Sequence, residues 1–370
     1  MKKKLRNAVS SKSYGQGSLS QNHQGAAVPI QAVTAQDITR LMNSASSGEM
    51  STLRDVLAIP GINLDILDPR WGDTALHKAI ADGRLEAVTA LLKAGACTNV
   101  PSIKGETAIH YAAYYGNLAI LTAVLAKSSP DNINMKEKCY GDTALHKVIS
   151  SDFIKDELNR FKALQLLVEA KADLKIPNTK DETPAFYAAW NCDLRSMDLL
   201  VAKGVNLNAR ELLGGDWLLH KVASSKKGIN PAVKVAMVML LVAGGVTVDC
   251  LSKKDESPLL YAAWNNDADA ALALRYCGAN MGLSADGCDA KSKALGKQEV
   301  TEVLNMTEAE IGTKVAGILK ISAEDLQAMA SPQNGLAAIH QMIEDWPTTE
   351  EPAEDVALAA AGGAGLLNDD

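Results

Sequence analysis

Along residues 67–280 the apolar positions recur in two alternating patterns. A short set with small members, such as Ala75, Leu76, Ala79 and Ile80, gives way after a polar break to a longer stripe, such as Leu85, Val88, Leu91 and Leu92. The stripe has i, i+3, i+6, i+7 spacing, which is one face of an amphipathic helix. Each pair predicts a short inner helix ended by a residue such as Gly83, then an outer helix stopped near Gly95, where left-handed backbone costs little. A hexapeptide announces each pair. It reads Gly-Asp-Thr-Ala-Leu-His at 72–77, Gly-Glu-Thr-Ala-Ile-His at 105–110 and Gly-Asp-Thr-Ala-Leu-His at 141–146. Looser copies stand at 181–186 (Asp-Glu-Thr-Pro-Ala-Phe), 215–220 (Gly-Asp-Trp-Leu-Leu-His) and 255–260 (Asp-Glu-Ser-Pro-Leu-Leu).

Self-similarity at such a period is the signature of a solenoid, and these units resemble the ankyrin repeat over residues 37–280. The resemblance implies an all-α fold: an ankyrin-repeat solenoid of helix-turn-helix units with β-hairpin turns, plus a small C-terminal helical region. It further implies that the turn threonine, first Thr74, caps the inner helix. The histidines His77, His110, His146 and His220 would then bond within the turn network and hold neighbouring repeats together. The pattern is broken where Trp217 replaces the turn threonine and where Phe186 and Leu260 replace histidine. Those copies exchange a turn hydrogen bond for apolar packing.

Two regularities refine the array. Units three and five are each longer by a seven-residue insert, around Ser150–Arg160 and Ser224–Pro231, between inner and outer helix. After the hexapeptide, odd units read Lys-Ala-Ile, Lys-Val-Ile and Lys-Val-Ala, whereas even units read Tyr-Ala-Ala-Tyr, Tyr-Ala-Ala-Trp and Tyr-Ala-Ala-Trp. This alternation points to duplication of a two-unit block. Residues 67–280 thus form six repeats, and residues 37–66, with Asp37 as candidate N-cap, form a degenerate capping unit. Residues 281–346 form an acidic helical region. It opens with a linker or irregular stretch over 281–300, followed by capping-box spacing at Thr307/Glu310 and Ser322/Asp325. A last helix over Leu336–Ile343 completes the helices expected to dock on the last repeat and shield it. Residues 1–36, a basic tail, and 347–370, an acidic then Ala/Gly-rich tail, read as disordered.

Charge and cysteine content narrow the function. Residues 281–370 hold five Lys and sixteen Asp/Glu, a balance of −11 that repels phosphates and argues against nucleic acid. No apolar run is long enough to span a membrane. The six cysteines lack close metal-ligand spacing, which suits a reducing, cytoplasmic setting better than a disulfide framework. No cofactor or metal motif stands out.

The candidate chemistry is therefore that of a binding surface. Tyr111, Tyr114 and Tyr115, Tyr187 and Trp190, and Tyr261 and Trp264 fall in even units, each leading pair spaced i, i+3 on one side of a helix. In ankyrin arrays such slots face the concave groove. Against this stands simple packing beside the inserts. Lys78, Lys147 and Lys221 share one slot in the odd units, so they would interleave with the tyrosines as a cationic and aromatic strip. The turn tips carry Arg70, Trp71, Ile103, Lys104, Lys138, Tyr140, Asn178, Lys180, Leu212, Leu213, Lys253 and Lys254, and the two tip leucines call for a partner. These features predict a monomer that captures a protein partner bearing acidic and apolar anchors, with no enzymatic activity. Two alternatives remain: a C-terminal thiol-type enzyme built on Cys288, His340 and Asp345, and a purely structural scaffold. The acidic cluster Glu344, Asp345, Glu350, Glu351, Glu354 and Asp355 also resembles the C-terminal signal of bacterial type IV-secreted effectors. Many such effectors carry ankyrin arrays, so this resemblance implies virulence through host-protein capture in the host cytoplasm.

Overall fold

Each hexapeptide builds a turn whose first residue has left-handed backbone, with φ 66° at Gly72, 79° at Gly105, 72° at Gly141 and 69° at Gly215. Its third residue caps a helix. In the computed structural model, which describes residues 33–225, 228–331 and 334–346, this unit repeats as stacked helix pairs. The pairs are α1 (Ala35–Ser47) and α2 (Met50–Leu57), α3 (Ala75–Ala81) and α4 (Leu85–Lys93), and α5 (Ala108–Tyr115) and α6 (Leu118–Leu125), the last trailed by a turn of helix, α7 (Pro130–Ile133). Then come α8 (Ala144–Ser150) and α9 (Glu157–Glu169), α10 (Pro184–Asn191) and α11 (Leu194–Ala202), α12 (Leu218–Ala223) and α13 (Pro231–Ala243), and α14 (Pro258–Asn265) and α15 (Ala268–Tyr276). The inner helices α3, α5, α8, α10, α12 and α14 stack in one row, and α4, α6, α9, α11, α13 and α15 in another. Close stacking in the inner row depends on small residues. Ala75, Ala79, Ala108, Ala112, Ala144, Ala185 and Ala189 are all buried.

The turns project as a row of fingers. Each is closed by a backbone bond such as Ser102 N–H to Glu106 O (2.8 Å) or Asn178 N–H to Glu182 O (2.8 Å). Neighbouring fingers are tied as well: the N–H groups of Lys138, Thr179, Leu212 and Lys253 donate to the carbonyls of Lys104, Tyr140, Lys180 and Gly214 at 2.8–2.9 Å.

Three expectations need correction. Asp37 is not the first cap. Thr34 caps α1, and Asp37 closes the capping box from inside the helix, accepting from Thr34 N–H at 3.0 Å. The tail expected over residues 1–36 ends sooner, since Thr34 already caps α1 and Ala35 opens it; residues 1–32, 226–227 of the second insert and the tail 347–370 lie outside the described residues.

Residues 281–300 are not a linker. They form β1 (Ser284–Ala285) and β2 (Cys288–Asp289), paired antiparallel, then α16 (Ala290–Lys293) and the start of α17 (Gln298–Asn305). This is a further degenerate repeat. Gly287-Cys288-Asp289-Ala290 stands in the hexapeptide register, Gly287 has φ 72°, and Asp289 caps α16 in place of threonine. In turn α16 stacks on the inner helix α14 and α17 on the outer helix α15.

The remaining helices, α18 (Glu308–Leu319), α19 (Ala323–Met329) and α20 (Gly335–Glu344), do more than cover the last repeat. Helix α18 lies on α15 and α13, while α20 lies on α13 and α11, so the chain returns along the outer row as far as repeat four. Amphipathicity explains the return: Ile311, Val315, Leu326, Ile339 and Ile343 are all buried in the shared core. Arg195 on α11 donates to Trp346 O, and His340 on α20 meets Asp198 on α11.

Candidate functional site

Inside the turns of units one to three, threonine and histidine lock each other. Thr143 N–H donates to His146 Nδ1 (3.1 Å), and Thr143 Oγ lies 2.9 Å from the same nitrogen. Because Nδ1 accepts, the proton of the neutral ring sits on Nε2. That nitrogen reaches the next repeat: His110 to Asp142 O (3.2 Å), His146 to Glu182 O (3.0 Å) and His220 to Glu256 O (2.8 Å). Burial pushes all four rings toward the neutral form, His77 down to about 4. His110, His146 and His220 are therefore used up as structural ties, whereas Nε2 of buried His77 has no hydrogen-bond partner among the described residues. At Trp217, which lacks a hydroxyl, the indole N–H donates instead to Leu251 O (2.9 Å).

The first aromatic of each even unit joins this network. Tyr111, Tyr187 and Tyr261 lean on His77, His146 and His220 of the preceding unit, with ring centroids 4.7, 5.3 and 4.8 Å apart. Their hydroxyls donate to the hexapeptide aspartates of that same unit: Asp73 (2.6 Å), Asp142 (3.1 Å) and Asp216 (2.8 Å). Burial, reinforced by those carboxylates, holds each phenol above its ordinary range. The odd-unit lysines answer in the opposite phase. Lys78 pairs with Asp68 (3.0 Å), Lys147 with Glu106 (2.8 Å), and Lys221 with Glu182 and Asp216 (both 3.5 Å). Their side chains are only 19, 14 and 13% exposed, so these cations are already engaged within the array. The expected strip is thus an internal ladder: aspartate takes the next unit's tyrosine, and in the even units glutamate takes the next unit's lysine.

The aromatic at the fourth position of this run behaves differently in units four and six. Trp190 is 43% and Trp264 61% exposed. Beside Trp264 a cleft of about 260 Å³ is lined by Ser224, Lys254, Glu256, Tyr261 and Asn265. Lys293 Nζ lies 4.7 Å from the Trp264 ring centroid. Lys297 Nζ donates to the carbonyls of Ala263 (2.9 Å) and Trp264 (2.7 Å), fixing the end of α14. Asn191 and Asn265, one residue after each tryptophan, donate to Ile149 O (3.0 Å) and Ala223 O (3.1 Å) of the preceding inner helix. In unit two Tyr114 holds the equivalent position, and it and the following Tyr115 are half-buried. The insert of unit three approaches them: Ile154 packs so closely on Gly116 that a Cβ there would come within 2.4 Å of it. Asn159 Nδ2 donates to Gly116 O (3.0 Å), and Ser151 Oγ donates to Tyr114 O.

At the finger tips, Trp71 is 66%, Leu212 50% and Leu213 68% exposed, and Ile103 and Tyr140 are exposed beside them. The partners of the ladder, Asp73, Asp142 and Asp216, escaped sequence reading, as did Phe153, Lys293 and Lys297. The hexapeptide aspartates were the available signal: a carboxylate at a turn entry that will be half-buried needs a donor.

The C-terminal thiol set is not assembled. His340 Nδ1 faces Asp198, Asp345 accepts from Gln341 Nε2 (3.1 Å), and Cys288 sits in β2 against α16. Among the described residues no cluster of His, Cys, Asp and Glu has metal-holding geometry, and no helix is long and apolar enough to cross a membrane.

A family model for ankyrin repeats, three copies, matches residues 41–137. Among solved structures, the ankyrin repeat domain of Bcl-3, described as a unique member of the IkappaB protein family, is similar to this chain with a TM-score of 0.51. Identity is 23%, and the match covers 64% of this chain and 97% of that one. With the helix pairs, the threonine–histidine turns and the tied fingers, these matches make the chain a carrier of ankyrin repeats folded as an all-α ankyrin solenoid.

Proposed function

We propose that this protein is a binding scaffold that captures a partner protein along the finger row and the groove beneath it. One observation carries the reading: apolar exposure is one-sided. Among the described residues, the exposed large apolar side chains Leu67, Trp71, Ile103, Tyr140, Leu212, Leu213 and Leu251 stand on the fingers. Phe153, Trp190 and Trp264 stand at the inner-helix face, and only Leu85 and Leu295 stand elsewhere. Exposed apolar groups gathered on one face mark an interaction surface, and tryptophan is a preferred anchor. The tips add Arg70, Lys104, Lys138, Lys180, Lys253 and Lys254, all exposed, which favours a partner with carboxylates among its apolar anchors.

In this reading Trp71, Leu212, Leu213, Trp190 and Trp264 meet the partner, whereas half-buried Tyr114 and Tyr115 are taken up by the chain's own Phe153. Tyr111, Tyr187, Tyr261, Lys78, Lys147 and Lys221 shape the surface from beneath. Delivery into a host cell, with a host protein as the target and the chain itself acting as a monomer in the cytoplasm, is the narrower form of the proposal. Its support is the acidic tail sequence alone. A pull-down from eukaryotic lysate tests the main claim, comparing the intact chain with Leu212→Ser/Leu213→Ser and with Trp190→Ala/Trp264→Ala, each matched for helicity and melting. A protein retained by the intact chain and lost from both variants is the expected result; equal retention by all three would reject the surface.

A further inference from the structure

The three even-unit inner helices present the same position three times, as Tyr114, Trp190 and Trp264. In the first copy the chain supplies its own occupant. The Phe153 ring, carried by the insert of unit three, lies with its centroid 5.2 Å from Tyr114 and 4.9 Å from Tyr115, at interplanar angles of 61° and 57°. Tilted and edge-on rings at such separations are the favoured arrangements of aromatic pairs. Phe153 is itself 58% exposed, while its neighbour Ile154 anchors the loop at 3%. The phenylalanine thus completes an aromatic cluster on the surface instead of filling the core.

Among the described residues the other two copies show no such occupant. In unit five the residue in the register of Phe153 is Lys227, and the degenerate unit after repeat six has no insert. Trp190 and Trp264 are exposed indoles, and the finger lysine of each unit, Lys180 or Lys254, is exposed too, with Lys180 Nζ lying 5.9 Å from the Tyr140 ring centroid. Around Trp264 the cleft of about 260 Å³ already includes Lys254 among its walls. Lys293 also engages that indole, its Nζ standing over the ring, which helps to hold the ring in place.

Resting on the binding role proposed above, we infer that Trp190 and Trp264 are two equivalent seats for aromatic side chains of an acidic peptide segment, and that Phe153 is the built-in occupant of the third. The partner is then an extended stretch with two aromatic residues, each next to an aspartate or glutamate that meets the finger lysine. The unit-two seat is closed to it by the chain's own ring.

The seats are tested on the full chain with a defined probe, acetyl-Asp-(4-fluoro-Phe)-Asp-amide, followed by ¹⁹F NMR line width. Wild-type protein should broaden and shift the line. Trp190→Ala and Trp264→Ala should each remove about half of the effect and the double variant nearly all of it, whereas Phe153→Ala should raise it by about half as the third seat opens. All four variants are compared at equal helicity and melting temperature. A line that stays sharp with wild type, broadening that survives in the double variant, or no gain in Phe153→Ala overturns the proposal. These outcomes are separable from failure of the binding role: lysate capture that depends on the tip leucines while the probe is silent removes only the seats.

Discussion

Two strips of aromatic residues run along the same even-unit helices one turn apart, and they have opposite fates. Tyr111, Tyr187 and Tyr261 are tucked against the preceding histidine with their hydroxyls on an aspartate. Trp190 and Trp264, three residues on, stand in the open with no hydrogen-bonded tie to the preceding turn. Identical spacing and similar chemistry do not decide function. What decides it is whether the preceding turn offers the ring a partner. Hydroxyl-bearing rings are kept by the array, and the indoles are left for something else.

Acid should break the inner strip most severely. The four buried histidines are neutral in the folded chain, whereas the unfolded chain takes up protons near pH 6.5. Stability is therefore complete above that value and falls as pH drops toward the folded pKa, about 4 for His77. At about 1.4 kcal/mol per pKa unit, His77 alone accounts for about 3 kcal/mol across that window. Urea midpoints measured from pH 7.5 to 4.5 should fall steadily; a flat profile would contradict the assigned neutral rings.

Next in size is His146→Ala, expected to cost about 2–4 kcal/mol because it opens a cavity, orphans Thr143 N–H and leaves Glu182 O with Asn178 N–H alone. Urea unfolding at pH 7.5 measures it, and a loss below about 1 kcal/mol would mean the tie between repeats is dispensable. Tyr187→Phe should cost about 1–2 kcal/mol, since Asp142 is buried and keeps only Asn178 as a side-chain donor. Its thermal melt should shift while lysate capture is preserved at permissive temperature. Smallest on stability, at about 0.5 kcal/mol or less, is Trp264→Ala, whose exposed ring contributes little burial. That variant should melt with wild type yet lose capture, the reverse of Tyr187→Phe. If both variants behaved alike, the division between the strips would collapse.

The solenoid was readable because its turn chemistry is local: threonine and histidine three residues apart need nothing beyond the hexapeptide to be recognised. The division between the strips was not, since the acceptor for Tyr187 is Asp142 and the acceptor for Tyr261 is Asp216, each a full repeat away. The pairing of Lys147 was hidden for the same reason, since Glu106 lies in the unit before, while Lys221 is shared between Glu182 of the unit before and Asp216 of its own turn. The final degenerate unit escaped because Asp289 caps α16 as threonine would, while only Gly287 and Ala290 keep the visible motif. The path of α18 to α20 along the outer row depends on faces that helical periodicity shows to be apolar without saying what they cover.

That returning arm has a mechanical consequence. A stack of repeats flexes like a spring, since each unit touches only its neighbours. Here α18 and α20 strap the outer row from repeat four to repeat six, so bending that opens the outer side there must stretch the strap. Repeats one to three carry no such strap among the described residues. Trp190 and Trp264 both stand on the strapped half, and their separation is thereby held like the jaws of a set calliper, which would let the protein measure its partner's length.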